Sequence, residues 1–410
     1  MNCMSGSCPL KQAGSSGSAF LSNHILKRLD GSGVLLDLHR ACLYLMTEKG
    51  PLMTATSDID DDAVSKLVDN YQTRTYRRVI LLLAAIALLS FTVVIDIMTG
   101  PASLSFADVL AVIFNPSDAS VQHKVIVWDL RLPIALMAVC VGAMLGVAGA
   151  EMQTILNNPL ADPFTLGLSS AASFGAALAI TLQWSLIPGA GAFFVTGNAF
   201  AMAMVTSLAL YAFTRLRGVT PEAMILVGIA MLFTFNALLA LLQYGASELE
   251  LAQIIFWQLG SLARASWGKV LTCVIVLAIV VPYFMSRSWA LTALRMGEEK
   301  AASLGMNVSF LRLTVLAGVS LLAAVAVSFV GAVAFVGLVG PHIARIIVGE
   351  DQRGFLPFSA LAGALIMSGT SIASKAITPG VIYPIGMITS LIGIPFFISL
   401  ILSQRQRHWQ

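Results

Sequence analysis

The chain has 410 residues, 57% of them hydrophobic and 11% charged, with a net charge of +3 and a mean hydropathy of +0.85. Soluble domains carry about a quarter charged residues, so this composition excludes an ordinary soluble protein and points to an all-α, polytopic membrane protein. The small, scattered positive charge excludes a nucleic-acid surface. Cys3, Cys8, Cys42, Cys140 and Cys273 have neither metal-ligand nor disulfide-framework spacing.

Residues 1–75 read as a cytoplasmic N-terminal tail. Ser5–Ser18 is rich in Gly and Ser, the composition of a flexible linker, and Val34–Met46 is too short and too interrupted by Asp37, His39 and Arg40 to cross a bilayer. A basic segment followed by an apolar core is missing, so this is not a secretory signal. Met53 precedes an acidic Thr-Ala-Thr-Ser-Asp-Ile-Asp-Asp-Asp stretch and is the expected true start of translation.

From Val79 onward, apolar runs recur at about the 20 residues a helix needs to cross hydrocarbon. Ten spans are expected in the domain 76–410: 79–98, 132–155, 164–183, 191–213, 222–244, 268–286, 311–330, 333–348, 357–376 and 385–402. An even number puts both termini on one side. Arg74/Arg77/Arg78, Arg215/Arg217, Arg287/Arg295/Lys300, Arg345/Arg353 and Arg405/Arg407 then share that side, which the positive-inside rule makes cytoplasmic. Lys124, Arg131, Arg264, Lys269 and Lys375 fall opposite.

Within the spans, Gly142, Gly146 and Gly149 have the small-residue spacing that lets helices approach closely. Asp96 and Glu151 sit near span ends, where interfacial solvation accounts for each. Buried ionisable pairs of the kind that drive ion-coupled carriers are not expected, and no nucleophile–base set converges at mid-membrane. Between the second and third spans, Pro159 and Pro163 remove backbone donors and force a break. Asn158 and Asp162 can satisfy the groups that break frees, and Asp162-Pro163 suits a cap followed by a first helical position. His342 lies near a helix end, where it can pair with carbonyls, and no second ligand stands close enough in sequence for a metal site.

Leu294–Val308 is a polar island between two long apolar runs. Its charges Arg295, Glu298, Glu299 and Lys300 would each cost a few kcal/mol at the bilayer centre, so it belongs at the membrane surface. Glu298–Leu304 holds good helix formers and Gly305 stands where a helix would stop. From composition alone, an ordinary inter-helix loop is the favoured reading.

Glu-Glu-Lys-Ala-Ala-Ser-Leu-Gly-Met resembles the cytoplasmic coupling segment of the FecCD-type permeases, the membrane subunits of ABC importers for iron–siderophore complexes, haem and cobalamin. The resemblance extends, in family order, through Arg131-Leu-Pro, Gly149-Ala-Glu-Met-Gln153, Asn158-Pro-Leu-Ala-Asp162-Pro-Phe-Thr-Leu-Gly167, Trp257-Gln-Leu-Gly260-Ser261, Phe335-Val-Gly-Leu-Val-Gly-Pro341-His342-Ile-Ala-Arg345 and Pro384-Ile-Gly386…Gly393-Ile-Pro395-Phe. It covers Arg77 to about Ser403. It implies a tightly packed ten-helix bundle working as a dimer, with a second copy or a paralogue. Two ATP-binding subunits, which carry the ATP and Mg, would dock on Glu298, Glu299, Ala301, Ala302, Ser303, Leu304, Gly305 and Met306. A periplasmic binding protein would dock through Arg131 and Lys375. Asn158, Pro159, Asp162, Pro163, Gly167, Trp257, Gly260 and Ser261 would shape and gate the pathway.

The same resemblance implies no metal, cofactor or catalytic residue in this chain, and a bacterial inner-membrane location. Ferric siderophore is the first cargo expected, then haem or cobalamin. Four positions depart from the pattern: Ile134, Ser371 and Ile382 replace charged residues, and Lys375 replaces arginine. An ion-coupled secondary transporter is the alternative outside the class.

Overall fold

A computed structural model describes residues 61–101, 104–115, 117, 120–183, 193–217, 221–378 and 380–407. The expected Gly/Ser-rich tail and the start at Met53 lie outside these. The chain divides into two units, Met1–Thr73 and Arg74–Gln410. The membrane-spanning bundle is the second of these.

The described residues form helices without strands. In order they are α1 (Asp61–Met98), α2 (Phe106–Phe114), α3 (Val121–Lys124), α4 (Leu132–Ile155), α5 (Leu168–Leu182), α6 (Phe194–Arg217), α7 (Pro221–Gly245), α8 (Glu248–Gln258), α9 (Trp267–Ser286), α10 (Ser288–Leu294), α11 (Glu298–Ser303), α12 (Val308–Val330), α13 (Val336–Val348), α14 (Gln352–Ala376) and α15 (Ile385–Arg407). A π-helical stretch, Val125–Arg131, joins α3 to α4.

Each expected span corresponds to one of these helices. Seven are long and apolar enough to cross a membrane, in α1, α3–α4, α6, α7, α9, α12 and α14. Three shorter apolar helices, α5, α13 and the Ile385–Ser399 part of α15, supply the rest. A 15-residue helix such as α5 reaches only about 22 Å, less than the hydrocarbon thickness. It is tolerated because most of it is buried, so the irregular backbone at its ends is shielded from lipid.

Helix α4 is the axis of the unit: 72% of its apolar window is buried, against 11% in α1 and α7. Its small residues explain this. A Cβ on Gly142 would stand 2.3 Å from the Gly363 carbonyl oxygen, one on Gly146 2.2 Å from that of Ser359, and one on Gly149 1.7 Å from that of Gly337. The Gly142–Gly146–Gly149 ridge therefore receives a matching small-residue ridge of α14, Ser359 and Gly363, and then α13. Backbone contact this close replaces the hydrophobic drive that lipid removes, because dispersion rises steeply as helices approach.

Candidate coupling segment and pathway

At the end of the bundle carrying most of the arginines, two short helices lie between α9 and α12. Gly297, with φ of 112°, turns the chain from α10 into α11. Helix α11 stops in the manner its glycine implies. The Gly305 amide donates to the Ala302 carbonyl at 2.9 Å, the Met306 amide donates to Ala301 at 3.3 Å, and Gly305 takes φ of 80°. This is the paired bonding of a Schellman stop, which only a residue tolerant of the left-handed region enters without strain.

Of the eight residues expected in this segment, Ala301 is buried and anchors it to the core, where Met306 also packs. Glu298, Glu299, Ala302, Ser303, Leu304 and Gly305 are exposed. Glu298 pairs with Arg312 of α12, and Asn307 caps α12 by accepting from the Phe310 amide at 3.0 Å. The segment is thus a small outward-facing helix fixed at both ends to the bundle.

Beneath it lies a polar layer that sequence spacing did not reveal. Arg295 donates to Glu350 at 2.8 Å, and the Arg345 Nε lies 3.2 Å from the same carboxylate. Arg345 also donates to the Gln153 side-chain oxygen at 2.8 Å, and Gln352 donates to the Thr154 hydroxyl at 2.6 Å. The buried ring of Phe355 faces both guanidiniums, with centroids 5.5 Å from Arg295 and 5.4 Å from Arg345. Glu151 is fully buried, and neither of its carboxylate oxygens accepts a hydrogen bond. That overturns interfacial solvation as its explanation: the tight α4 packing shuts water away from it. His342 meets Phe396 edge-on, 5.8 Å between ring centroids.

The break between α4 and α5 is built as the prolines require. Asn158 accepts from the Leu160 amide at 2.9 Å, and Asp162 caps a 3₁₀ turn, Pro163–Leu166, by accepting from the Phe164 amide at 3.1 Å. Pro159 is exposed, while Asp162 and Pro163 are buried. Gly167 is required twice over. Its φ is 79°, and a Cβ there would sit 2.8 Å from the Leu232 amide of α7.

At the opposite end, three recognised stretches are tied together by main-chain bonds. Helix α8 ends at Trp257-Gln258, Gly260 takes φ of 73°, and the Ser261 amide donates to Val330 at 2.7 Å. The Ile385 and Gly386 amides donate to Gly260 and Leu259 at 3.1 and 3.0 Å. Gly331 backs onto Trp257 so closely that a Cβ would stand 2.4 Å from its carbonyl oxygen. The Trp257–Ser261 stretch therefore joins the α12–α13 break to the start of α15, so movement of any one of the three is felt by the others.

Arg131 and Lys375 do not stand out from this end; they are 7% and 8% exposed. Arg131 donates to the Ile97 and Met98 carbonyls at 2.8 and 3.1 Å. Lys375 lies 2.5 Å from Asp96, which is fully buried and also accepts from Ser371 at 2.9 Å. Two expectations are corrected here. Asp96 is not solvated at an interface, and a buried ionisable pair does exist, formed by residues 279 positions apart. The outward charge expected of Arg131 and Lys375 is turned inward, where both hold the end of α1 to the bundle.

The departures from the family pattern converge. Ile134, Ser371, Lys375 and Ile382 line one small cavity with Ser261 and Tyr383. Where the pattern would place an aspartate four residues before the basic residue of α14, this chain has Ser371, and α1 supplies the carboxylate from Asp96 instead.

The FecCD transport family model matches residues 88–403. The iron(3+)-hydroxamate import permease FhuB of Bacillus subtilis is 32% identical over 399 residues, covering 94% of this chain and 98% of its own. The vitamin B12 import permease BtuC of Vibrio vulnificus is 32% identical over 290 residues, covering 71% of this chain and 86% of its own. A solved structure described as an inward-facing metal-chelate type ABC transporter superposes with a TM-score of 0.68 at 31% identity, covering 79% of this chain and 99% of that one. Family match, full-length relatives and superposed fold agree: the chain belongs to the FecCD transport family of ABC importer permeases.

Proposed function

We propose that this permease moves an iron chelate, a ferric siderophore first, from an external binding protein to the cytoplasm, driven by ATP hydrolysed on two partner subunits docked at the arginine-rich end. The observation that carries this reading is α11: a short exposed helix, stopped by Gly305 and pinned to α12 through Glu298–Arg312. A lever of this form passes a push on its exposed face into the bundle rather than absorbing it. Hydrolysis then favours one of two packings of the helices, and cargo is released on the other side.

The arginine-rich end is the cytoplasmic one, following the positive-inside rule, and both termini lie there. Two permease chains, identical or paralogous, enclose the path. Asn158–Gly167 shapes its inner mouth and Trp257–Ser261 gates its outer one, since the latter is tied to both the α12–α13 break and α15. A binding protein would meet the outer ends of the helices, with Arg131 and Lys375 acting through the geometry they impose on α1 and α14 rather than by direct contact. The iron(3+)-hydroxamate and vitamin B12 permeases are relatives at the same 32% identity, so the uptake assay decides the cargo.

The test is uptake by a deletion strain carrying this chain and its partners, with labelled ferric siderophores, haem and cobalamin, before and after ATP depletion. Gly305→Pro should leave membrane insertion intact and abolish uptake. Normal uptake in that variant, or uptake that survives ATP depletion, overturns the reading.

A further inference from the structure

Resting on the coupling role just proposed for the 294–308 segment, we infer that Arg295 is a two-position latch that leaves Glu350 and engages the buried Glu151 of α4 when the coupling helix moves. Glu151 is fully enclosed and both its oxygens lack hydrogen-bond partners. A buried polar group left unpaired costs about 1–3 kcal/mol, and more when charged, so one that a native structure keeps calls for a reason.

Arg295 is the complementary half. One terminal nitrogen, Nη2, donates to Glu350; the other, Nη1, is buried without a partner. Its side chain is only 13% exposed, and Glu350, at the turn between α13 and α14, is 57% exposed. The guanidinium already feels both carboxylates: burial lowers it from its ordinary value, and Glu350 and then Glu151 oppose that shift. The present pair is thus the weaker, water-facing choice and the alternative is a dry one. Arg345 shares Glu350 and bonds Gln153, two residues along α4 from Glu151, so Glu350 keeps a cation when Arg295 departs.

The position of Arg295 supplies the mechanics. It caps α10 and stands two residues before the Gly297 turn, whose amide donates to the Leu294 carbonyl at 3.1 Å and whose carbonyl accepts from the Ala301 amide at 3.0 Å, so a displacement of α11 is passed back to Arg295. Its guanidinium rests against the buried face of Phe355, which carries no hydrogen bond that a shift would break. A tilt of α11 would carry Arg295 along this apolar surface. Capture by Glu151 would then pull the coupling segment onto α4, the helix most deeply packed in the bundle.

The complete transporter, permease with its ATP-binding subunits in proteoliposomes, tests this by two double-mutant cycles. In the cycle of Glu151→Gln and Arg295→Gln, cargo moved per ATP hydrolysed should fall at least tenfold in each single variant and no further in the double, since both remove one contact. The thermal midpoint of the resting complex should show weaker coupling between these two positions than between Arg295 and its present partner Glu350. The cycle of Glu350→Gln and Arg295→Gln should show the reverse, coupled in the thermal midpoint. Arg295→Lys, which keeps the charge and loses the second arm, should retain part of the coupled transport. If Glu151→Gln leaves cargo per ATP unchanged, or its loss adds independently to that of Arg295→Gln, the latch is overturned. Loss of uptake in Gly305→Pro alongside that result removes only the latch; unimpaired uptake in Gly305→Pro removes the coupling role beneath it.

Discussion

Removing the Asp96 carboxylate by Asp96→Ala tests the internal anchor at the outer end. Lys375, 6% exposed in its side chain, would lose its 2.5 Å partner and keep only a main-chain acceptor, which remains at residue 96. Ser371 would lose its acceptor as well. Breaking a buried pair from one side costs about 3–5 kcal/mol, because the surviving charge stays desolvated and uncompensated. That is roughly two to four powers of ten in the folded-to-unfolded ratio. Removing both charges with Asp96→Ala and Lys375→Met should cost far less, since an apolar pair of similar volume often replaces a buried ion pair without loss.

The sharper variant is the exchange Asp96→Ser with Ser371→Asp. It returns the carboxylate to α14 itself, four residues before Lys375 and on the same helical face. Thermal unfolding of the detergent-purified protein, followed by tryptophan fluorescence, should rank wild type above the exchange, and the exchange well above Asp96→Ala. An Asp96→Ala midpoint equal to wild type, or an exchange no better than Asp96→Ala, would refute the assignment of this pair as the tie between α1 and α14.

Further outcomes are set by the packing and the break. Gly149→Ala must part α4 from α13, because its Cβ would sit 1.7 Å from a backbone oxygen that no rotamer can move. The loss should exceed the ~1–3 kcal/mol of ordinary overpacking and show as low yield of folded protein. Gly268→Ala in α9 meets nothing within 4 Å and should be neutral or slightly stabilising in the same assay. Burial raises the Asp162 carboxyl from 3.8 to about 6. The native state then holds this proton more tightly than the unfolded chain does, so stability increases as pH falls through about 6 toward 4 and is lost as pH rises. Asp162→Asn should remove that part of the pH dependence of the unfolding midpoint; an unchanged slope would show that Asp162 is not its source.

Much of this molecule is legible in its sequence alone. A membrane demands about 20 apolar residues per crossing and full internal bonding of the backbone, so the runs from Val79 to Leu402 could hardly be anything but spans. The break at Asn158–Gly167 and the stop at Gly305 are equally readable, because proline and left-handed glycine act through local sterics alone. The small-residue spacing of Gly142–Gly149 announces a close helix contact, though not with which partner.

What the chain order hides are the meetings between distant positions. Ser359, Gly363 and Gly337 face the α4 glycines from far along the chain, and Asp96 meets Lys375 from farther still. Charges near the ends of apolar runs look solvated when only depth along one helix is considered. Whether Asp96, Glu151, Arg131 or Lys375 touches water depends on the helices packed beside it, and that is a property of the tertiary structure. Local sterics and the lipid requirement act within a few residues of the chain, so sequence carries them. Burial and pairing are set by neighbours brought in from elsewhere, so only the folded bundle could decide them.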